Sequence, residues 1–536
     1  SAERAVRVRF CPAPGAGASH GDAPAAPSMP AAPRGLRRLP GVVNVLRGAD
    51  PSAWWTGIPT YAGVVLPDVA PGIDLRIGPA EVAGADRLAS TTSMVSASSR
   101  RLRLALDVAP GADLSALRLA VEGPTVRRGP AFPPDEVPAA ASVAGDHAGE
   151  DAASALQALE LLFATYLGGS HRFGDLAYGL AVDAAGHAFV TGTTYSTDFP
   201  TAGAAQGTSG GEFDAFVAKL SPDGAALEFA TYLGGGAADE GRGIAVDALG
   251  RVHVAGLTRS RDFPTARAVQ TALGGAQDAF AVVLGPSGGA LLLGTYYGGS
   301  GDETGHAVAA TRAGATVLVG ETSSRDLPLA APIQAVPGGG LDAFVARLAP
   351  GGDALEQATY LGGSLDDAAR AVAPVDDGGL VIAGSGASTD FPGLARGTRV
   401  AAQRGQDAFV ARLAADGASV AYASLVGGTM DDVASGVAVD AEGRPVIVGV
   451  TASADFPVAG TWQASAGGGD DGFLARLTAD GASIELASYV GGAGDDALDG
   501  IAIAGGAVFV AGHSASDGFP AGALRFGPGG GLDALA

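Results

Sequence analysis

The feature that most constrains this chain is a repeat of about 64 residues that occupies most of its length. A Gly-Gly pair closes a Tyr-Leu-Gly-Gly-like sequence and recurs every 64 to 66 residues, while Asp-Phe-Pro and Asp-Ala-Phe sequences keep the same phase. Self-similarity at a fixed period is typical of architectures in which each unit buries its apolar face against the next. The first glycines of the six pairs are Gly168, Gly234, Gly298, Gly362, Gly427 and Gly491.

Each copy contains four strand-like runs, which in the second copy are 243–247, 252–258, 278–284 and 291–297. Tight glycine-containing turns join the first run to the second and the third to the fourth, and longer connections join the others. Four antiparallel strands per copy make a propeller blade. The sequence therefore predicts an all-β protein, a six-bladed β-propeller of four-stranded antiparallel blades preceded by a small β-rich domain.

The ends of the array predict how the ring closes. The array opens with a lone fourth strand at 161–167 and ends with a truncated third strand at 532–536. These two fragments complement each other, so we expect the last blade to be completed by both chain ends, leaving no exposed edge. The alternative is seven blades, with one blade taken from the N-terminal domain or lost by truncation after Ala536.

Composition divides the chain into four segments. Residues 1–40 are rich in Ala and Pro and predict a disordered tail. Residues 41–123 contain short β-like runs separated by turn residues and predict a small β-rich domain. Residues 124–159 are a Pro-, Ala- and acid-rich linker, and residues 160–536 form the propeller.

Charge and residue usage exclude several classes of function. A formal net charge of −23 opposes binding to nucleic acid, whose phosphates are bound by Lys and Arg. Cys11 is the sole cysteine, so no intrachain disulfide forms, and the seven histidines match no zinc pattern. No apolar run is long enough to predict a transmembrane segment. We expect a monomer.

Acidic residues follow every Gly-Gly pair, and repeat symmetry would bring them to one face of the molecule. Calcium takes six to eight oxygen ligands, so pairs of these carboxylates with loop carbonyls predict a calcium or ligand site. The alternative is that the acids cap backbone N–H groups in glycine-rich turns. No other cofactor is expected. The first acids after the pairs are Asp175, Asp239, Asp302, Asp366, Asp431 and Asp495, and the acids after these in copies two to six are Glu240, Glu303, Asp367, Asp432 and Asp496.

The long connections share one face in an antiparallel meander, and binding sites usually lie on such loops. The phenylalanines of the Asp-Phe-Pro sequences, for example Phe199 and Phe263, are expected to pack beneath these loops, with carbohydrate stacking as the alternative. The loop 170–173 of the first copy is the most divergent. His171 and His306 are placed near this face, so a single catalytic histidine stays an alternative.

The second copy, at 243–258 and 262–265, resembles the SBBP beta-propeller repeats of bacterial secreted and cell-surface proteins. Sequences at 50–54, 59–61 and 71–75 look like the N-terminal domain that often precedes such repeats. The resemblance implies a secreted or cell-surface location and a binding or surface role. The family name implies seven blades where the count of repeats gives six.

These observations together predict an extracytoplasmic, non-catalytic β-propeller that acts as a binding or cell-surface scaffold, with a glycan or a protein as ligand on the long-loop face. One alternative is a propeller lyase or hydrolase with a site near the central opening. Another is a calcium-stabilised structural or adhesion protein. Catalysis requires one blade to break the symmetry with acids, His or Arg converging on the axis, and the sequence leaves the choice open.

Overall fold

The computed structural model describes strands in the first 122 residues and most of the chain from residue 163. The described ranges are 7–10, 34–47, 55–70, 73–79, 102–108, 119–122, 163–394, 399–400, 405–516 and 533–535. Every regular element in these ranges is a β-strand, which confirms the predicted all-β class for them. The same ranges hold no helix with the length and apolar character that a membrane crossing requires.

The chain divides into two compact units, residues 1–43 with 58–162 and residues 44–57 with 163–536. The strands before the repeats are β1 (Arg7–Phe10), β2 (Arg34–Arg47), β3 (Trp55–Ala70), β4 (Ile73–Pro79), β5 (Leu102–Val108) and β6 (Leu119–Glu122). β1 pairs antiparallel with β6, and β4 pairs antiparallel with β3 and β5. β1 and the start of β2 lie in residues 1–40, the segment for which composition predicts a disordered tail. The predicted linker lies outside the described residues.

The second unit begins with β7 (Phe163–Gly168) and continues as sheets that follow the repeats. Sheet 1 contains β8 (Asp175–Val182), β9 (Ala188–Thr194), β10 (Asp214–Leu220) and β11 (Leu227–Leu233). Sheet 2 contains β12 (Asp239–Val246), β13 (Val252–Thr258), β14 (Asp278–Leu284) and β15 (Leu291–Tyr297). Sheet 3 contains β16 (Glu303–Ala310), β17 (Thr316–Thr322), β18 (Asp342–Leu348) and β19 (Leu355–Leu361).

The remaining sheets follow the same order with two changes. Sheet 4 contains β20 (Asp367–Pro374), β21 (Leu380–Gly386), β22 (Arg399–Val400), β23 (Asp407–Leu413) and β24 (Val420–Val426), with the short β22 parallel to β24. Sheet 5 contains β25 (Asp432–Val439), β26 (Pro445–Thr451), β27 (Asp471–Leu477) and β28 (Ile484–Val490). Sheet 6 contains β29 (Asp496–Ala504), β30 (Ala507–Ser514) and β31 (Asp533–Leu535).

The antiparallel register places all long connections at one end of each sheet. In sheet 2, Asp239 pairs with Thr258 and Thr258 with Asp278, so the start of the first strand, the end of the second and the start of the third lie side by side. We call this the long-loop end and the opposite end, which carries the tight turns, the tight-turn end. The last three strands of sheet 2 have the predicted bounds, whereas the first begins at Asp239 rather than at residue 243.

Neighbouring sheets pack through their first strands. β8 contacts β12, β12 contacts β16, β16 contacts β20, β20 contacts β25, and β25 contacts β29. Strands such as β13 and β14 are buried along their whole length, which is expected of sheets covered on both faces. The phenylalanines of the Asp-Phe-Pro sequences lie in this core: Phe263 is 3% exposed, and its ring centroid is 4.7 Å from that of Phe280.

The two ends of the sheet array are open. On β8, Leu176, Leu180 and Val182 are exposed, on the side where a preceding sheet would pack. Sheet 6 contains three strands in the described residues. β7, which the sequence predicts as its fourth strand, is instead hydrogen-bonded to β2, in a sheet of order β5-β4-β3-β2-β7. The number of blades therefore stays a prediction.

Candidate functional site

An acidic residue begins the first strand of each sheet, and most of these acids are fully buried. They are Asp175, Asp239, Glu303, Asp367, Asp432 and Asp496. The sequence groups Asp239 with Asp302, Asp366, Asp431 and Asp495 as the first acids after the pairs. By distance from the Gly-Gly pair, Asp239 corresponds to the next residue in each of these other copies. The equivalent acids are set by the distance from the Gly-Gly pair to the strand start and by burial, so Glu303 takes the place of an aspartate.

The buried carboxylate ties the Gly-Gly turn to the end of the second strand. Oδ2 of Asp239 accepts hydrogen bonds from the N–H of Gly235 at 2.8 Å and from the hydroxyl of Ser260 at 2.7 Å. In sheet 3, Glu303 accepts from the N–H of Gly299 at 2.9 Å and from the hydroxyl of Thr322 at 2.7 Å. This is the capping arrangement that the sequence leaves open as an alternative.

A second buried acid begins the third strand, and it faces the first across a sheet boundary. A methyl group on Gly234 would lie 2.1 Å from Oδ1 of Asp214 and 2.7 Å from Oδ2 of Asp239, so only glycine fits between them. Burial raises the pKa of Asp214, and burial raises that of Asp239 to about 6. These carboxylates hold neighbouring sheets together and are not accessible to a ligand.

The other predicted site acids lie at the surface. Asp302, Asp366, Asp431 and Asp495 are exposed. Oδ1 of Asp366 accepts a hydrogen bond from the N–H of Leu341 at 2.8 Å, so this acid also caps a loop. Glu240 is half-buried, and its Oε2 lies 3.1 Å from Nη2 of Arg242. In the part of the chain that the structure describes, no three His, Cys, Asp or Glu side chains are grouped to hold a metal ion. Calcium stays a prediction.

Aromatic rings gather at the long-loop end of sheet 1. The rings of His171 and Tyr195 stack with centroids 5.9 Å apart, and Phe173 meets Tyr195 edge-on at 5.6 Å. Phe213 lies 4.8 Å from Tyr195, and the guanidinium of Arg172 lies 4.6 Å from the ring of Phe173. Phe173 is 61% exposed. We call His171, Phe173, Tyr195 and Phe213 the aromatic cluster.

The first strand of every sheet carries a β-bulge with one extra residue. Bulges redirect side chains and are frequent beside functional sites. Three neighbouring sheets, 2 to 4, place an Arg or His there, and Nη1 of Arg242 lies 3.4 Å from Nδ1 of His306. The extra residues are Tyr178, Arg242, His306, Arg370, Ser435 and Asp499.

Burial and hydrogen bonding set the charge states of His306 and Glu321. Nε2 of His306 lies 3.4 Å from Oε2 of Glu321. Burial lowers the pKa of His306 despite the nearby Glu321, so the imidazole is neutral near pH 7. The hydrogen bond with His306 lowers the pKa of Glu321, which is therefore ionised. We call Arg242, His306, Glu321 and Arg370 the bulge cluster.

Tyr178 lies on the first strand of sheet 1, and burial, with a smaller effect of the carboxylate of Glu240, raises its pKa. The aromatic cluster and the bulge cluster are two separate candidate sites.

The sequence indicated only part of these sites. It singled out loop 170–173 as divergent and placed His171 and His306 near the long-loop end. It did not show that Tyr195 and Phe213, at the two ends of one long connection, meet His171 and Phe173. The available signal was an aromatic residue at 195 and at 213, where sheet 2 has Arg259 and Gln277.

Successive four-stranded antiparallel sheets packed through their first strands define a β-propeller. Two family models match this chain: residues 228–264 match the SBBP Beta-propeller repeat, and residues 25–128 match a Domain of unknown function, DUF7948. The chain therefore contains an SBBP beta-propeller repeat and a DUF7948 domain before it, as the sequence resemblance predicted. No curated protein matches the chain.

Several solved structures are similar to this one. A protein of unknown function from Dyadobacter fermentans DSM 18053 has a TM-score of 0.36 and 12% identity, with 67% of this chain and 93% of that chain covered. A gluconolactonase from Xanthomonas campestris has a TM-score of 0.30 and 14% identity, with 63% and 94% covered. Likeness at this level says nothing about the activity of this chain.

Proposed function

We propose that this protein is an extracytoplasmic β-propeller that binds a glycan at the aromatic cluster of sheet 1. The observation that carries the proposal is the exposure of stacked rings at one corner of an otherwise repetitive surface. Phe199 and Phe263, the rings of the repeated Asp-Phe-Pro sequences, are 1% and 3% exposed, whereas Phe173 is 61% exposed. An exposed aromatic group has no stabilising role in the core, so its presence favours a contact surface.

The chemistry of the site suits a sugar with charged groups. Aromatic faces pack against the C–H faces of pyranose rings and shed their water on binding. The guanidinium of Arg172, 4.6 Å from the ring of Phe173, supplies hydrogen bonds to hydroxyl or carboxylate groups. The loop is open to solvent, which suits a chain rather than a small enclosed ligand.

The test is a glycan array probed with the full chain and with two variants, Phe173→Ala and Tyr195→Ala. We expect binding to a subset of glycans, and a loss of at least about tenfold in affinity for each variant, because each ring removed exposes sugar surface to water. Affinity for the best array hit is then measured by isothermal titration.

The matched control is Leu249→Ala, which removes a side chain that is 71% exposed in a tight turn of sheet 2. This variant should bind like the unchanged protein. Equal binding by Phe173→Ala and the unchanged protein would place the ligand elsewhere on the propeller.

The bulge cluster favours a second candidate, a lyase acting on the same class of ligand. A neutral His306 suits a base that removes a proton next to a carboxylate, and Arg242 and Arg370 suit neutralisation of that carboxylate. Mass spectrometry of the array hit after incubation distinguishes the two functions. An intact glycan supports binding, and a shortened product with a new double bond supports the lyase.

The remaining proposals concern the molecule around this site. We infer a secreted or cell-surface location from the resemblance of the repeats, and a monomer. We also infer six blades from the count of the repeats, with seven blades, one of them taken from the N-terminal domain, as the alternative.

A further inference from the structure

At their tight-turn ends, neighbouring sheets meet through a repeated contact. The third residue of each fourth strand approaches a left-handed glycine in the turn of the next sheet. Phe229 fills this position against Gly288, and Tyr422 fills it against Gly481. Between sheets 3 and 4, the amide of Gln357 instead donates to the carbonyl of Gly417 at 2.5 Å.

The boundary between sheets 2 and 3 is different. Here the position holds Leu293, which neither carries an aromatic ring nor bonds across to the turn at Gly352. A cavity of about 350 Å³ lies at this boundary. Its apolar side is formed by Val283, Leu291 and Leu293, and its polar side includes Arg251, His253 and Arg267.

Three positions supply the basic residues around this cavity: the residue before the second strand, the second residue of that strand, and the residue after the bridge that follows Asp-Phe-Pro. Sheet 2 has Arg251, His253 and Arg267 at these positions, sheet 1 has His187, Phe189 and Gly203, sheet 3 has Ala315, Val317 and Ala331, and sheet 5 has Arg444, Val446 and Gly460. Among these four sheets, sheet 2 is thus the one with two guanidinium groups.

Of the two guanidinium groups that line the cavity, that of Arg251 is paired with a carboxylate and that of Arg267, among the residues described, is not. Nε of Arg251 pairs with Oδ2 of Asp247 at 2.6 Å, and Nδ1 of His253 lies 2.9 Å from the hydroxyl of Thr316. Burial lowers the pKa of His253, so it adds no positive charge near pH 7. Arg267 contacts the carbonyl of Gly351 at 3.4 Å and forms no ion pair within the described ranges. The cavity is therefore net positive in a chain with a formal charge of −23.

Arg267 also has an unfavourable backbone conformation. Its φ is 48°, in the left-handed region, where sheet 1 has Gly203 at 53°, sheet 5 has Gly460 at 54° and sheet 3 has Ala331 at 41°. A side chain at a position that favours glycine costs stability, and such strain is concentrated at functional sites. Sheets 2 and 3 both have a non-glycine residue here, and Arg267 is the one of the two that carries a charge.

We propose that this cavity binds a small organic anion, whose carboxylate pairs with Arg267 and whose apolar part packs on Leu291 and Leu293. The site lies at the tight-turn end, opposite the aromatic cluster, and is independent of the proposed glycan binding. The apolar side selects against inorganic anions, and the guanidinium of Arg267 selects against neutral molecules.

Isothermal titration of the full chain with sodium benzoate tests the site, with benzamide as the uncharged molecule of the same shape. We expect saturable benzoate binding in the millimolar range and binding of benzamide weaker by at least about tenfold. Absence of saturable benzoate binding, or equal binding of benzamide, would refute the proposal.

Two variants locate the site. Leu293→Phe places in sheet 2 the residue that fills the boundary in sheet 1, and Arg267→Gly places there the glycine of sheets 1 and 5. Each should weaken benzoate binding at least about tenfold. Melting temperatures at or above that of the unchanged protein show that folding is intact, because Arg267→Gly relieves strain.

The control is Arg312→Ala, which removes a guanidinium in a turn of sheet 3 whose side chain is 88% exposed. This variant should bind benzoate like the unchanged protein. If Leu293→Phe also binds benzoate unchanged, the ligand does not enter the cavity and the assignment fails.

Discussion

Asp367 differs from its equivalents in the residue opposite it on the second strand. The N–H of Gly363 and the hydroxyl of Ser388 both donate to its Oδ2, each at 2.7 Å, and its Oδ1 is buried without a partner, as are those of Asp239, Asp432 and Asp496. Sheets 2, 3 and 5 have a threonine opposite the acid, whereas sheet 4 has Gly386. Burial raises the pKa of Asp367 to about 6.

This shift has a definite consequence for stability. The folded protein holds the proton of Asp367 more tightly than the unfolded chain, in which the pKa is about 4. The stabilising effect of protonation is therefore complete below about pH 4 and is lost as the pH rises through about 6. Above that pH, a charged and underbonded carboxylate remains in the core.

We expect Gly386→Thr to stabilise the protein by about 1 to 2 kcal/mol near pH 8. A β-carbon there would lie 2.5 Å from Oδ1 of Asp367, so the carboxylate has to shift, after which the new hydroxyl donates to Oδ1. The variant should also lose less stability between about pH 4 and pH 8. Urea denaturation at both pH values measures this. The reverse change in sheet 5, Thr451→Gly, should destabilise. An unchanged pH dependence in Gly386→Thr would contradict this account of Asp367.

At the level of elements, a tyrosine fastens each complete fourth strand to the long connection of its own sheet. The hydroxyl of Tyr296 donates to the carbonyl of Ser260 at 2.7 Å and accepts from the N–H of Phe263 at 2.9 Å. Tyr232, Tyr360 and Tyr489 repeat these contacts, and Leu425 replaces the tyrosine in sheet 4.

We expect Tyr296→Phe to reduce the free energy of unfolding by about 1 to 3 kcal/mol, because it leaves a buried carbonyl and a buried N–H without partners. Urea denaturation measures the change. Tyr178→Phe is the control: this tyrosine lies on β8 and is 52% exposed. Tyr178→Phe should reduce the free energy of unfolding by much less than Tyr296→Phe. A similar cost for both variants would show that the buried hydroxyl has no special role.

The elements were easier to predict than the site. The strand bounds of sheet 2 followed from alternating apolar runs and glycine turns, except where β12 begins at a buried acid that looks like a loop residue in sequence. The role of Phe263 beneath its loop was also predicted. The contacts of Tyr195 with Phe173 and Phe213 were not predicted, because they depend on how separate loops meet. Likewise, Leu293 marks a cavity only once its neighbour across the boundary is known.

At the scale of the whole molecule, Tyr166 indicates unfinished packing. It occupies on β7 the position of Tyr232 on β11, yet it is 72% exposed, whereas Tyr232 is 1% exposed. β7 is hydrogen-bonded to β2 and not to the other strands of sheet 6, which explains the exposure. In sheet 1, Leu233 of the fourth strand pairs with Ala215 of the third, and the equivalent residues at the chain ends are Leu167 and Ala534.

We expect Leu167→Cys and Ala534→Cys, combined with Cys11→Ser, to form a disulfide under mild oxidation, because paired strand residues lie at about 5 Å. Non-reducing electrophoresis and mass spectrometry detect the bond. The control pair is Leu167→Cys with Val508→Cys, which the six-bladed closure does not bring together. Failure of the first pair to cross-link would favour the seven-bladed alternative.

The buried carboxylates on either side of each Gly-Gly turn have a consequence for the evolution of such repeat proteins. Each junction draws its donors and acceptor from two adjacent repeats only, as with Asp214, Gly234 and Asp239. Duplicating or deleting a whole repeat in the gene therefore leaves every internal junction chemically complete. Recombination within a repeat would instead leave a buried acid without its hydrogen-bond donors. The number of repeats can therefore change by whole repeats during evolution, and only the contact that closes the array has to change with it.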